Sequence, residues 1–456
     1  MIQPAENYAW PMELPKVSVR PPFSVHAKQA VAQTIEYESP AGNAPGLAQK
    51  PWPVIWKSGR GVIVEDVDGN TYLDLTSGFV VTNAGHCHPK VVAAIKEQAG
   101  ELLYAKSHAP HPERARLAEI LARQFPGGEK ALVQFAVGGA EAIQVAIKFA
   151  RYLTGRHGII AFGGSYHGKT GAALDVTGRA SYKVAQPQPG GIQFLPFPDQ
   201  FRPPLPRSPS GAEYVEFYDR LLCDPSSGYS DVAAIILESI QGAEGINVPP
   251  DDFLPALRAL CDRHRILMIA DEIQTGFGRT GRRFGIDHWG VVPDLIVVGK
   301  GVAGGLPLSG VLGKQSLMEK LPAGLQTSTF AGNPLGWASA LATLEVYEEE
   351  GLYENAARMG EEIVKAVRQL AETCPFIGDV RGKGLLIGLD LVAGPGSTEP
   401  NPQAAAKLAA ALLERGVLMD VIGRHNNVAV IRPPLVIQQQ HVDWLVSQLE
   451  DVLREL

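Results

Sequence analysis

Asp294-Leu295-Ile296-Val297-Val298-Gly299-Lys300-Gly301 is a short apolar run that ends in glycine, a lone lysine and a second glycine. A run of this length bounded by turn residues reads as a strand buried on both faces. Lysine is almost never left at the end of such a strand for packing alone, so Lys300 is read as a chemical group. Two more runs have the same form: Val232 to Leu237 ends at Glu238, and Ile266 to Ala270 ends at Asp271. Val133 to Ala136 and Gly158 to Phe162 precede them, and helical patterns such as Ala140 to Tyr152 and Phe253 to His264 stand between. This alternation predicts an α/β fold around a largely parallel sheet. Ligands bind such sheets at the carboxyl ends of the strands, so Glu238, Asp271 and Lys300 are expected to share one crevice.

The 456 residues exceed one usual domain, which predicts a large domain and a smaller one. Residues 1–50, rich in Pro, Ala and Gln, read as an extended N-terminal arm. Residues 51–85 hold a hairpin about Asp68-Gly69-Asn70 and read as the first part of the small domain. The large domain is placed at 86–334, with a long Pro-rich loop from Gln186 to Ser210, and the rest of the small domain at 335–456. In that last part, strands are expected at Phe376 to Val380, Leu385 to Leu391, Val417 to Val421 and Val428 to Ile431. A net charge of -7 gives no footprint for nucleic acid or an anionic membrane. Four cysteines, Cys87, Cys223, Cys261 and Cys374, lack a CxxC pair and read as reduced thiols. Met1 to Trp10 has no apolar leader core and no long charge-free apolar run follows, so a cytoplasmic protein is expected.

Gly299-Lys300-Gly301-Val302-Ala303-Gly304 formally matches the GxGxxG dinucleotide fingerprint. The context opposes it, because Gly305 to Gly310 is a poor helix start and a lysine would crowd a pyrophosphate turn. Gly138-Gly139-Ala140 is better suited to an anion, since glycines there meet a helix N-terminus. The same residues also suit a bare strand-to-helix turn in which Glu141 complements the dipole, and the sequence does not choose between these. His86-Cys87-His88, with His108 and His111, lacks the spacing and the further ligands of a zinc site, so no metal is expected. Asp271-Glu272 reads as a surface pair or, after five apolar residues, as a buried carboxylate awaiting a cation. A protonated pyridine nitrogen beside a lysine–aldehyde adduct supplies that cation, which is pyridoxal 5'-phosphate chemistry.

These residues resemble the class III, pyridoxal-phosphate-dependent aminotransferases of fold type I. The resemblance covers nearly the whole chain beyond the arm. Its most specific segments are Asp271-Glu272-Ile273-Gln274-Thr275-Gly276-Phe277-Gly278-Arg279-Thr280-Gly281 and Lys300-Gly301-Val302-Ala303-Gly304-Gly305-Leu306-Pro307-Leu308. It implies a large domain with a mostly parallel seven-stranded sheet, and a small α/β domain made from both ends of the chain. Position by position, Lys300 resembles the Schiff-base lysine and Asp271 the carboxylate that keeps the pyridine nitrogen protonated. Gln274 would approach the cofactor's phenolic oxygen, and Tyr166 resembles the aromatic residue stacked on the ring, with His167 and Glu238 also at the cofactor. Gly139 and Ala140 fall on the phosphate-binding turn. Thr329 resembles the threonine that reaches the phosphate from a neighbouring subunit, so a homodimer, or a tetramer built from it, is implied.

The departures concern substrate. Gly138 and Ala140 stand where the family's phosphate turn usually has serine or threonine, and Ala243-Glu244 where its 4-aminobutyrate enzymes have glutamate directly after Gln-Gly. Val430 replaces an arginine three positions before Pro433-Pro434-Leu435, which leaves Arg424 and Arg432 as candidates for a substrate carboxylate. Arg424 is favoured, because Gly423 and Asn426-Asn427 imply a mobile loop. Lys169 and Phe79 complete the expected substrate-binding set. The resemblance thus implies transfer of an amino group from an amine or ω-amino acid (4-aminobutyrate-like or a diamine) to an oxo acid such as pyruvate or 2-oxoglutarate. A racemase or epimerase of the same fold is the rival, since it would share every cofactor residue. A nicotinamide-binding or non-catalytic α/β protein is the second.

Overall fold

The computed structural model describes residues 25–42, 54–184, 190–205 and 209–455. Three short strands lead in: β1 (Trp56–Arg60), β2 (Ile63–Asp66) and β3 (Thr71–Asp74). β2 and β3 pair antiparallel across the Asp68-Gly69-Asn70 turn, which Asp66 holds by accepting the Asp68 and Asn70 amides on Oδ1, each at 2.9 Å.

The large sheet follows, made of β4 (Ala131–Ala136), β5 (Gly158–Phe162), β6 (Ile192–Leu195), β7 (Val232–Glu238), β8 (Leu267–Asp271), β9 (Leu295–Val298) and β10 (Ser309–Lys314). Their order is β4-β10-β9-β8-β7-β5-β6, and β10 alone runs against its neighbours. Side chains alternate between two cores. Leu295 and Val297 face the helix Gly139–Thr154, while Ile296 and Val298 join the cluster of Leu254, Leu257 and Tyr218. Helices therefore cover both faces, which is why these strands carry continuous apolar runs.

The remaining strands are β11 (Ile377–Lys383), β12 (Leu386–Leu391), β13 (Val417–Leu418), β14 (Asp420–Ile422) and β15 (Val428–Ile431). One sheet has the order β11-β12-β15-β14, and β13 leaves it to pair parallel with β3, Val417 opposite Leu73. The single strand expected over Val417 to Val421 is thus two, because the chain turns at Met419 and serves a different sheet on either side.

Two other expectations need correction, and one strand has no counterpart among them. The stretch read as extended carries a helix, Val25–Tyr37, where Ala-rich sequence lies between the prolines at 22 and 40. Residues 1–24 and 43–50 of that arm lie outside the described residues. The long loop after Gln186 contains the edge strand β6, hidden in sequence by its four-residue length. The stretch after Lys300 contains β10, whose Gly310 and Gly313 mask its strand pattern.

Candidate active site

Register places the carboxylates. Glu238 ends β7 directly opposite Asp271 at the end of β8, and Asp271 pairs with Val297 of β9. Two residues beyond β9, Lys300 opens a 3-10 turn, Lys300–Ala303, with a left-handed backbone at φ 44. A side-chain-bearing residue pays on the order of 1–2 kcal/mol there. Neighbours hold the turn in place: Tyr347 Oη donates to Gly301 O at 2.5 Å, and Ser339 Oγ to Ala303 O at 2.7 Å.

A cavity of roughly 270 Å³ lies over these strand ends. Gly139, Ala140, Tyr166, His167, Lys169, Glu238, Asp271, Gln274 and Lys300 all line it, so nine of the residues expected from sequence meet in one place. Asp271 Oδ2 lies 2.7 Å from His167 Nδ1, and its Oδ1 accepts the Ile273 amide at 3.1 Å. Glu238 accepts the amides of Tyr166 and Gly242. At the far wall, the helix Gly139–Thr154 begins with no side-chain cap, so its first N–H groups face the cavity end. Glu141 is not free to fill that role, because its Oε2 accepts the Val137 amide. Two glycines make room: a Cβ on Gly139 would lie 2.9 Å from Ile273 Cδ1, and one on Gly242 would lie 1.4 Å from Gln274 Oε1.

Burial dominates the electrostatics. It pulls the Lys300 amine down to about 8, helped by the positive Arg432 and opposed by Asp271 and Glu238. It pushes Glu238 up to about 7, with His167 opposing and Asp271 adding to the rise. Burial also raises the Tyr166 phenol. Below pH about 8 the folded chain keeps a costly buried ammonium, a penalty that fades as pH rises toward the unfolded value of 10.5. Reductive labelling of Lys300 by a small aldehyde, followed by mass spectrometry, is therefore expected to rise through about pH 8. Arg432→Gln should move that midpoint upward; an unchanged midpoint would show that Arg432 does not act on Lys300.

The other expected residues lie outside this cavity. Thr329 is exposed at the start of the turn Thr329–Gly332, beside Phe330, which is 69% exposed and meets Tyr104 edge-on. Phe79 is 67% exposed in a left-handed turn, Ser77 to Val80, in which every residue has positive φ. Arg432 is buried, pairs with Asp420, and has its guanidinium 5.8 Å from the Phe79 ring. Arg424 is half-exposed on the Gly423 loop, its Nε 2.7 Å from Glu244 Oε1. Lys169, one of the nine that line the cavity, is exposed at its mouth, its ammonium 4.3 Å from the Tyr182 ring.

Sequence reading missed Gly168, Thr170, Ala243, Ile273 and Thr275, which also line the cavity. Their signal is adjacency alone, each standing within a few residues of a recognised position. The surface reading of Asp271-Glu272 is overturned, because both are buried. Glu272 is a structural hub, accepting from Ser239, Thr275 and the amides of Gly285 and Ile286 while burial pushes it up to about 7. Arg279, fully buried, spends its guanidinium on Leu385 O, Pro433 O, Ser77 Oγ and Asn83 Oδ1. His86 binds Asp74, and His88 caps the helix Pro89–Glu101 and binds Glu350, which accounts for that histidine pair without a metal.

The family model for class-III aminotransferases matches residues 46–453. The chain belongs to that family. An alanine/serine racemase of Pyrococcus horikoshii is 36% identical, over 97% of this chain and 94% of its own. A 5-aminovalerate aminotransferase of Pseudomonas aeruginosa is 37% identical, over 89% of this chain and 94% of its own. Among solved structures, an amine transaminase from an uncultivated Pseudomonas species, in its pyridoxal-phosphate-bound form, superposes with a TM-score of 0.85. It is 32% identical and covers 92% of this chain and 98% of that one.

Class III aminotransferases depend on pyridoxal phosphate and move an amino group from a donor to an oxo acid. The cavity suits that cofactor. Among the described residues the Lys300 amine makes no hydrogen bond, His167 Nε2 is buried without a partner, and an uncapped helix N-terminus faces the far end. These are an amine for an aldehyde, a polar floor beside a carboxylate, and an anion site, spaced along one cavity. Among the described residues, no helix is long and apolar enough to cross a membrane.

Proposed function

We propose that this aminotransferase takes its amino group from an amine or ω-amino acid and passes it to an oxo acid such as pyruvate or 2-oxoglutarate. The observation that carries the roles is one cavity that holds both the Lys300 amine, its basicity lowered by burial, and the Asp271–His167 pair. When bound, pyridoxal phosphate supplies an aldehyde that condenses with amines and a cationic ring that accepts an electron pair. Lys300 Nζ anchors the cofactor at rest and, once released, moves the proton at the substrate carbon. Asp271 holds the proton on the ring nitrogen, oriented by His167 and the Ile273 amide. Tyr166 would cover the ring and Gln274 would approach its phenolic oxygen, since both line the cavity. Glu238 braces that wall through the Tyr166 and Gly242 amides. The Gly139 and Ala140 amides take the phosphate.

A second copy of the chain completes the site in this reading. Thr329 is exposed and does not line its own chain's cavity, and Phe79, Leu103, Tyr104 and Phe330 are exposed apolar side chains that a homodimer would cover. Phe79 and Lys169 then shape the donor pocket. The four cysteines are all unpaired, as a cytoplasmic setting would keep them.

One site must serve a donor and an oxo acid, so the carboxylate-binding group has to be movable. Arg424 fits better than Arg432. Arg432 is buried against Asp420, whereas Arg424 is held on one exposed side only, by Glu244. Arg179 Nε stands 3.6 Å from the other Glu244 oxygen, so Glu244 keeps a cation when Arg424 swings to a substrate. Arg424→Ala is expected to raise KM for the oxo acid by roughly 10–100-fold while leaving the half-reaction with a simple amine nearly unchanged. Equal losses in both halves would transfer the role to Arg432.

A racemase reading has specific support in the 36% identity to an alanine/serine racemase over 97% of the chain and to a leucine/methionine racemase over 89% of it. Incubation with an enantiopure amino acid and no oxo acid separates the readings. Racemisation without keto product would displace the aminotransferase reading; a donor panel run against pyruvate and 2-oxoglutarate with stoichiometric amino transfer would uphold it.

A further inference from the structure

The helices Gly211–Cys223 and Phe253–His264 start together. The Gly211 and Ala212 amides donate to the two oxygens of Asp252, which precedes the second helix, at 3.0 and 2.9 Å. A Cβ on Gly211 would lie 2.5 Å from Phe253 N. The two helices pack side by side from that shared start, so their C-terminal ends also lie together, where the last carbonyls concentrate partial negative charge. Three ligand-type side chains converge there. Asp219 and Cys223 stand one turn apart on one face of the first helix, and His264 is the last residue of the second. His264 Nε2 is 2.5 Å from Asp219 Oδ1, Cys223 Sγ is 3.9 Å from the same oxygen, and all three donor atoms lie within 4.8 Å of one another. Among the described residues no other group of three such side chains is so close.

We propose that Asp219, Cys223 and His264 form a zinc site, with water as the fourth ligand. A tetrahedral zinc with ordinary bond lengths sets its ligand atoms about 3.3–3.5 Å apart. The sulfur is within about 0.6 Å of that separation from Asp219 Oδ1 and closes on His264 from no more than 4.8 Å, while the His264–Asp219 contact opens by less than about 1 Å as the ion replaces the shared proton. Arg263 Nη2 lies 3.2 Å from Asp219 Oδ2, which orients the carboxylate and leaves Oδ1 to the ion. Thiolate and imidazole select zinc over magnesium or calcium. Cys223 is exposed, which gives the ion an entry path. An Asp219–His264 ion pair alone would account for two of these groups, but not for the thiol that joins them at the paired helix ends.

Each helix feeds the amino end of a strand whose carboxyl end carries Glu238 or Asp271. The ion therefore sits across the sheet from the cavity and is a structural staple between two crossover helices. The test uses tag-free holoenzyme loaded with zinc, desalted and analysed for metal. The full chain should retain close to one zinc, with a higher melting temperature than the chelated sample. Cys223→Ser should bind at least about tenfold more weakly and lose the zinc-dependent rise. Cobalt loading should give a thiolate-to-metal charge-transfer band that Cys223→Ser lacks. No retained zinc in the parent protein, or equal retention in Cys223→Ser and His264→Gln, would overturn the proposal.

Discussion

Replacing Lys300 by alanine should lower turnover by at least about 10⁴-fold, because one amine is assigned both the anchoring of the cofactor and the proton at the substrate carbon. The expectation rests on placement: the turn Lys300–Ala303 forces a left-handed lysine, and neighbouring side chains hold that turn where the amine enters the cavity. Treatment with borohydride fixes the cofactor to the parent chain and should fail to do so in Lys300→Ala. The variant should nevertheless fold. The side chain makes no hydrogen bond among the described residues and burial disfavours its charge, so its loss should not lower the melting temperature of the cofactor-free protein at neutral pH. A variant that keeps borohydride-fixed cofactor, or keeps near-parent turnover, removes Lys300 from the centre of the site.

Asp271→Asn should cost on the order of 10³-fold in turnover with the cofactor still bound. The asparagine oxygen can accept the Ile273 amide as Oδ1 does, so local geometry has a substitute. What it cannot supply is the negative charge that holds a proton on a pyridine nitrogen in a buried site, where charge acts at low dielectric. His167 sharpens the measurement. Its Nδ1 lies 2.7 Å from Asp271 Oδ2, and its other ring nitrogen has no partner, so the ring proton can move there and leave Nδ1 to accept from the new amide. The loss should therefore appear in kcat and in the visible spectrum of the bound cofactor, with KM little changed. A fall in melting temperature with kcat preserved would make Asp271 a structural carboxylate.

Legibility followed chemistry more than shape. The strands ending at Glu238, Asp271 and Lys300 could be read because burial on both faces writes an uninterrupted apolar run. β6 and β10 could not, since a four-residue edge strand and a strand with glycines inside carry little pattern. Lys300, Asp271 and Gly139 announced themselves as residue types out of place in their surroundings. The cavity wall at Ile273 and Thr170 did not, because an isoleucine or a threonine beside a polar motif looks like any other. Arg279 shows a further limit: a buried arginine inside the most specific motif serves the carbonyls of Leu385 and Pro433, a purpose visible only when distant segments are brought together.

The left-handed turn at Ser77 to Val80 ties the site to the order in which the chain is made. Ser77 Oγ donates to Arg432 O, 355 residues further along, at 2.7 Å, and β3 obtains its last neighbour only from β13. At ribosomal speeds that interval is on the order of tens of seconds. In its last part, once β10 has emerged, the nascent chain can hold a finished large sheet while the Phe79 turn still lacks the Arg432 carbonyl and β13. That turn is thus braced last, when the final strands emerge, so truncation near the C-terminus should yield a protein that folds around its core and still lacks a fixed Phe79 turn.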